Sequence, residues 1–208
     1  MSGEPQPLNL AEGAVGNRGR VGLVAALVGV VVGGVVGLFA GRVVGTTVAV
    51  VVAGLLVATS WLAARRRVSL MGSDLVARTV VTSTVDLRRA DRLDLIVTDL
   101  RGVRTISLVA GGPPRGRSIT VALAVYSGID GRELDILALR RLADALASST
   151  NTTGLVLSEL LIAQLRGEAR GAGVGERALH RLAARIEGGG LSRRVPTDVL
   201  TTFVAALD

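Results

Sequence analysis

Two long uncharged apolar stretches constrain this chain of 208 residues more than any other feature. Residues 21–40 and 43–64 contain no charged side chain, and only Gly41 and Arg42 separate them. A helix of 20 residues is about 30 Å long, which matches the hydrocarbon core of a bilayer. Arginine is costly within hydrocarbon, so Arg42 belongs in a short loop outside it. The sequence therefore predicts a two-helix transmembrane hairpin over residues 21–64, with spans 21–40 and 43–64.

Arginines flank the two stretches on one side of the predicted hairpin. They stand before the first span and after the second: Arg18, Arg20, Arg65, Arg66 and Arg67. The positive-inside rule then predicts a multi-pass inner-membrane protein with both termini cytoplasmic. A cleavable signal peptide explains the first stretch less well, because its apolar run exceeds a usual signal core. The same five arginines are candidate contacts for anionic lipid headgroups.

Small residues recur every four positions along both stretches. They are Gly29, Gly33, Gly37 and Gly41 in the first and Gly45, Ala49 and Ala53 in the second. Helices in lipid associate through close approach of their backbones, which small side chains permit. The pattern predicts a packing ridge that either locks the hairpin internally or pairs two copies of the chain as a homo-oligomer. The short loop favours the internal pairing.

The rest of the chain predicts an α+β arrangement of strands followed by helices. Residues 1–20 hold prolines and glycines without periodicity, which predicts a disordered cytoplasmic tail. Residues 65–148 show alternating apolar residues that predict about five antiparallel strands. These strands lie near residues 68–71, 75–82, 93–97, 103–109 and 118–126, and the last places Ile119, Val121, Leu123 and Val125 on one face and Tyr126 on the other.

A helix is predicted to close this small sheet domain. Asp130 and Glu133 fit the capping-box pattern, which predicts an amphipathic helix over residues 132–147. The expected core of this unit, which should fold by itself, is Leu75, Leu95, Val97, Ile106, Ile119, Val121, Leu123, Leu134, Leu142 and Leu146. Residues 149–208 form a helical C-terminal region, with helices predicted near 155–170, 176–187 and 196–207.

Composition excludes several kinds of chemistry. The chain has no cysteine and a single histidine, His180, so it offers no thiolate or multi-histidine metal site. His180 fits no catalytic triad and is expected on a solvated helix surface. Four carboxylates interleave with arginines and are expected on a solvated face: Asp86, Asp91, Asp94 and Asp99. The glycine runs lack the lysine of a phosphate loop. The sequence thus predicts no catalytic, metal or cofactor-binding residue and no cofactor.

The positive charge of the chain does not predict nucleic-acid binding. Residues 65–208 carry 21 arginines against 15 acidic residues, a net charge of +6. Nucleic-acid-binding surfaces are usually denser in positive charge and hold aromatics that stack on bases. The aromatic residues of this region are Tyr126 and Phe203. We therefore expect no nucleic-acid partner.

Two segments after the apolar stretches carry a resemblance to a known family. Residues 68–78 (VSLMGSDLVAR) hold a turn and then a strand that ends in a basic residue, and residues 84–90 (TVDLRRA) lead into the next strand. This order resembles the bacterial pleckstrin-homology-like domains over residues 65–148. That family has seven strands, whereas alternation here predicts about five. The resemblance implies a binding or scaffold module without general enzymatic activity.

Two functions remain open from the sequence. The first is a non-enzymatic integral membrane protein that presents its α+β domain to a partner protein or to anionic lipid headgroups. The alternative is a membrane-tethered enzyme with an Arg/carboxylate site that matches no known motif. A deep pocket that gathers Arg78, Arg104 or other arginines around a carboxylate would favour the enzyme, and an exposed groove would favour binding.

Overall fold

The chain divides into two compact units. One comprises Met1–Leu10 with Arg67–Asp208, and the other comprises Ala11–Arg66. The computed structural model describes residues 6–8, 10, 43, 46–48, 50–55, 58, 67–78, 82–113, 116–128, 130–186 and 192–207. The first of these units holds all the sheets and helices named below, and we call it the α+β unit.

The prediction of a transmembrane hairpin is contradicted. Across the residues that the structure describes, no helix is long and apolar enough to cross a membrane. The predicted α+β membrane fold with spans 21–40 and 43–64, and the inner-membrane localisation with cytoplasmic termini, are corrected by this finding. Residues 21–40 lie outside the described residues.

Most of the predicted membrane residues also fall outside the described part. Ala53 is half-buried in a helix, whereas the other six members of the predicted ridge, Gly29, Gly33, Gly37, Gly41, Gly45 and Ala49, lie outside the described residues. The same holds for Arg18, Arg20, Arg65 and Arg66. Arg67 is the first residue of a strand, and its backbone stands opposite that of Arg78 in the neighbouring antiparallel strand. The packing ridge stays a prediction.

The α+β unit begins with a four-stranded antiparallel sheet. Its strands are β1 (Gln6–Pro7), β2 (Arg67–Met71), β3 (Asp74–Arg78) and β4 (Thr82–Asp86), in the order β1-β2-β3-β4. Gly72, in the loop between β2 and β3, has a φ of 64°, a conformation that glycine adopts without strain. The Leu8 amide donates to the Val68 carbonyl at 2.8 Å, and Leu8 is buried. Residues 6–8, predicted within a disordered tail, are therefore ordered against β2.

A second antiparallel sheet follows. Its strands are β5 (Arg92–Leu100), β6 (Val103–Gly112), β7 (Arg117–Ser127), β8 (Asp130–Glu133) and β9 (Arg193–Val195), in the order β8-β7-β6-β5-β9. A single 3-10 turn, Leu87–Arg89, connects β4 to β5. From β2 to β8 the chain forms seven strands rather than the five predicted. The additional strands are β4, of which only Thr82 fell within the predicted strand 75–82, and β8, which was predicted as the start of a helix.

A bulge in β7 changes which side chains reach the core. Ile106 pairs with Ala124, whereas its neighbour Ser107 pairs with Ala122, so Leu123 is the extra residue. A bulge shifts the alternation of the strand beyond it to the other face. Tyr126 therefore lies on the buried face, contrary to the alternation predicted for this strand.

Four helices complete the α+β unit. They are α1 (Ile136–Ala147), α2 (Thr152–Ala169), α3 (Ala178–Arg185) and α4 (Thr197–Ala205), with a 3-10 turn at Val174–Glu176. One continuous apolar core joins both sheets and all four helices. The ten predicted core residues are all buried, which confirms that prediction: Leu75, Leu95, Val97, Ile106, Ile119, Val121, Leu123, Leu134, Leu142 and Leu146.

The start of α1 differs from the capping-box prediction. Asp130 and Glu133 belong to β8, and the helix begins at Ile136. Its N-cap is Asp135, whose Oδ2 accepts a hydrogen bond from the Leu137 amide at 3.1 Å. Glu133 does not cap the helix because its carboxylate is bonded elsewhere in the fold.

Candidate functional site

A buried polar cluster joins β7, β8 and α3. The Tyr126 hydroxyl donates to Glu133 Oε1 at 2.7 Å, and Arg177 Nη1 donates to Glu133 Oε2 at 2.5 Å. The Glu133 side chain is only 7% exposed. Arg177 Nε also donates to the Ala172 carbonyl at 3.1 Å, and its Nη1 lies 3.8 Å from Glu168 Oε1. Each oxygen of Glu133 is thus occupied by a donor from another element.

The protonation of this cluster suits a structural role. Burial raises the pKa of the Tyr126 phenol, and the hydrogen bond to Glu133 raises it further. The hydrogen bond to Glu133 likewise raises the pKa of Arg177. A phenol that stays protonated is a hydrogen-bond donor and not a base. The cluster therefore holds α3 to the β7–β8 hairpin through a carboxylate whose two oxygens each accept a hydrogen bond from the protein.

His180 packs on this cluster instead of standing in solvent. Its ring meets the Tyr126 ring edge-on, with centroids 4.9 Å apart, and the residue is half-buried. The expectation of a solvated histidine is corrected accordingly. Gly131 pairs with Tyr126 across the hairpin, and a Cβ there would stand 2.5 Å from the Tyr126 ring. Glycine is therefore required for the ring to lie against β8.

Asp91 is exposed, as predicted, whereas the other three interleaved carboxylates have separate bonding partners. Asp94 is buried, not solvated as expected, with Arg92 Nε at 2.5 Å from its Oδ2 and Arg194 paired to its Oδ1. Asp86 caps the turn that follows it, where it accepts from the Arg88 amide at 2.9 Å. In the part of the chain that the structure describes, no group of three or more acidic or histidine residues could hold a metal ion.

The arginines named as markers of an enzyme lie apart from each other. Arg78 is exposed at the end of β3. Arg104 donates to Asp99 Oδ2 at 3.1 Å and to the Ala183 carbonyl at 3.3 Å, which ties β6 to α3. Neither residue lines the groove beside β2 and α1, the groove between α1 and α2, or the groove between α2 and α3. Other arginines do line grooves together with carboxylates, as Arg140 and Arg166 do beside Asp144 and Glu168.

An open, mostly apolar groove lies between α1 and α2 of the α+β unit. We call it the α1/α2 groove; its volume is about 440 Å³, and its lining residues are Ile136, Arg140, Ala143, Asp144, Ile162, Leu165, Arg166, Glu168 and Ala169. Ile136 is 49% exposed and Ile162 is 38% exposed. The lining surface is mostly apolar, and charged side chains of both signs form its rim.

One rim residue has an unused hydrogen-bond acceptor. Glu168 Oε2 is buried, and none of the described residues donates to it. Its other oxygen lies at the edge of the Arg177 cluster. A buried carboxylate oxygen without a donor is costly, and a donor from a bound molecule would relieve that cost. The groove therefore combines exposed aliphatic side chains with a rim carboxylate, Glu168, one oxygen of which has no donor among the described residues.

The sequence contained a weak signal for this groove. Apolar residues that fall off the predicted core stripe of an amphipathic helix are candidates for a second contact surface. Ile136 and Ile162 lie off the stripes predicted for their helices, and both are exposed in the groove. That two such residues face one groove depends on how α1 packs against α2, which no local pattern specifies.

Comparisons of this chain with family models, curated proteins and solved structures find no match.

Proposed function

We propose that the α+β unit is a non-enzymatic binding module whose α1/α2 groove receives an amphipathic segment of a partner protein. The exposure of Ile136 and Ile162 in one groove carries this proposal. Apolar side chains that stand together in a concave surface mark protein-interaction sites more often than isolated ones do. Amphipathic helices bind by inserting an apolar face into such a groove.

The rim indicates the chemistry of that segment. Arg140 and Asp144 border the groove on α1, and Arg166 and Glu168 border it on α2. A partner with aliphatic residues on one face and charges of both signs beside them would complement this rim. A lysine, arginine or backbone N–H that reaches Glu168 Oε2 would supply the donor that this atom lacks.

The resemblance to pleckstrin-homology-like domains fits the same proposal. Seven consecutive antiparallel strands, β2 to β8, precede α1, and they are divided between two sheets. We propose that residues 67–147 follow that family's plan, with α1 as the closing helix. Such modules bind and do not catalyse, which is consistent with the occupied carboxylate oxygens around Arg177.

Affinity capture with paired variants tests the proposal. The full chain serves as bait, with Ile136→Asp and Ile162→Asp combined in one variant. The matched control combines Leu137→Asp and Leu155→Asp, which are exposed apolar residues on the same two helices but outside the groove. We expect the groove variant to lose a captured protein that the control retains, with at least a tenfold drop in yield.

Two results would contradict the proposal. Equal loss from both variants would show that any exposed apolar residue on these helices drives capture. Sedimentation of the purified chain tests whether a second copy of the chain occupies the groove. If the chain is a dimer and only the groove variant is monomeric, the groove is a self-association surface instead. Unchanged circular dichroism of both variants would establish that the fold is intact.

A further inference from the structure

A second groove, at the far end of α2, is lined by arginines. It has a volume of about 530 Å³ and lies where α2 ends, beside the loop that leads to α3 and the start of α3. Its charged lining residues are Arg166, Arg170, Arg181 and Glu176, and its other lining residues are small or apolar. We call it the α2/α3 groove. Among the described lining residues, arginines therefore outnumber carboxylates.

Two of these guanidinium groups are available to a ligand. Arg170 and Arg181 are exposed, and among the described residues neither side chain has an ion-pair or hydrogen-bond partner. Elsewhere in the unit the more buried arginines pair with carboxylates, as Arg104 does with Asp99 and Arg177 does with Glu133. A groove that holds unpaired arginines attracts an anion, because each guanidinium offers a planar fork of donors that fits a phosphate.

The wall of the α2/α3 groove is fixed before any ligand binds. The Ala172 amide donates to the Gly167 carbonyl at 3.0 Å, and the Ala172 carbonyl accepts from Arg177 Nε at 3.1 Å. Gly171 adopts a φ of 71° and its amide donates to the Glu168 carbonyl at 2.9 Å. The loop is thereby held to α2 and to the buried Arg177, so binding would require little ordering of the backbone.

We propose that the α2/α3 groove is a binding site for a small phosphorylated ligand that carries at least two negative charges. Its volume lies within the roughly 300–1,000 Å³ that is usual for small-molecule sites. Its lining residues include no aromatic side chain on which a nucleobase could stack. The groove therefore recognises the phosphate groups of its ligand. The rest of the ligand is compact and non-aromatic and contacts Leu207 and Ala163.

Titration of the full chain with inorganic pyrophosphate tests this site. We expect saturable binding of one equivalent by calorimetry. The variant Arg170→Gln with Arg181→Gln should weaken it at least tenfold. The control Arg78→Gln with Arg89→Gln removes the same charge from exposed positions outside the groove and should change the affinity less than twofold. Glu176→Gln removes the one carboxylate found among the described lining residues and should strengthen binding severalfold.

The outcomes separate a built site from general attraction. Equal weakening by the two double variants would show that pyrophosphate responds only to net charge, which would overturn the proposal. Absence of saturable binding, or no gain from Glu176→Gln, would overturn it as well. None of the altered residues lines the α1/α2 groove, so either result leaves the proposed partner site to be judged by its own experiment.

Discussion

Tyr126 is a buried ionisable side chain that makes the stability of the fold depend on pH. It is the only tyrosine in the sequence and lies almost wholly buried against Glu133 and His180. Burial raises the pKa of its phenol above the ordinary value of about 10. Above that pH the unfolded chain loses the phenolic proton while the folded chain keeps it. Ionisation thus favours unfolding, and the folded state loses stability as the pH rises.

We therefore predict an alkaline loss of stability that depends on Tyr126. Above pH 10 the free energy of unfolding should fall by about 1.4 kcal/mol per pH unit from this group. Tyr126→Phe should remove that slope, while at neutral pH it costs about 1–3 kcal/mol because Glu133 loses a donor. Urea unfolding between pH 8 and pH 11 measures both effects.

Ultraviolet absorbance provides the control for this prediction. Tyrosinate absorbance should rise only together with the loss of ellipticity, because the chain has a single tyrosine. A tyrosinate signal near pH 10 in a chain that is still folded would contradict the burial and bonding assigned to Tyr126.

Single residues show what the sequence does and does not determine. The ten predicted core residues are buried, because alternation and helical spacing depend only on neighbours in the chain. The burial of Tyr126 was not predicted, because the bulge at Leu123 moves each later side chain of β7 to the opposite face of the sheet. The ion pair of Glu133 was not predicted either, because its partner Arg177 lies 44 residues away in the sequence. The burial of Asp94 was missed for the same reason, because its partner Arg194 comes from the distant strand β9.

At the scale of elements, the start of α1 depends on a choice between two aspartates. Asp130 and Asp135 both precede the helix, and the capping-box spacing favours the first. In the fold Asp135 accepts from the Leu137 amide, whereas Asp130 pairs with Ser127 in the β7–β8 hairpin. A side chain that reaches the free amides of a first turn stabilises a helix, and one in a strand does not.

We predict that the two aspartates differ when each is replaced by alanine. Asp135→Ala should lower the free energy of unfolding by about 1 kcal/mol, as loss of an N-cap does. Asp130→Ala is the matched control and should change it by less than about 0.5 kcal/mol, as expected of an exposed site. Chemical denaturation at neutral pH distinguishes them. A larger effect at Asp130 would restore the capping box and place the start of the helix earlier.

Other element boundaries were set by contacts between distant segments. The start of α3 has no side-chain cap of its own, and the Leu179 amide instead donates to the buried Gln164 Oε1 of α2 at 3.0 Å. The predicted helix began earlier, at residue 176, because composition alone does not reveal this external cap. Strand β1 is likewise too short and too rich in polar and proline residues to be predicted locally, and it exists because β2 offers an edge.

At the scale of the whole molecule, the C-terminal helices are part of the core and not an appendage. Residues 65–148 were expected to fold by themselves, yet α2 lies against α1 and β5. Six fully buried leucines come from segments after residue 148: Leu157, Leu160, Leu161, Leu179, Leu182 and Leu200. Each contributes about 1.5–3 kcal/mol through burial. Together they match the roughly 5–15 kcal/mol by which a whole domain is stable.

We accordingly predict that a chain ending at Ser148 does not fold, although it retains all of β1 to β8 and α1. Loss of α2 would uncover the side of α1 on which it packs, and removal of Ser158 would leave the Ala143 carbonyl without the hydrogen bond that it accepts at 2.9 Å. Circular dichroism should show no cooperative thermal transition for the truncated chain. Adding residues 149–208 as a separate peptide should restore that transition, which controls for irreversible aggregation. A cooperative transition in the truncated chain alone, near that of the full chain, would show that the sheets and α1 form an independent domain.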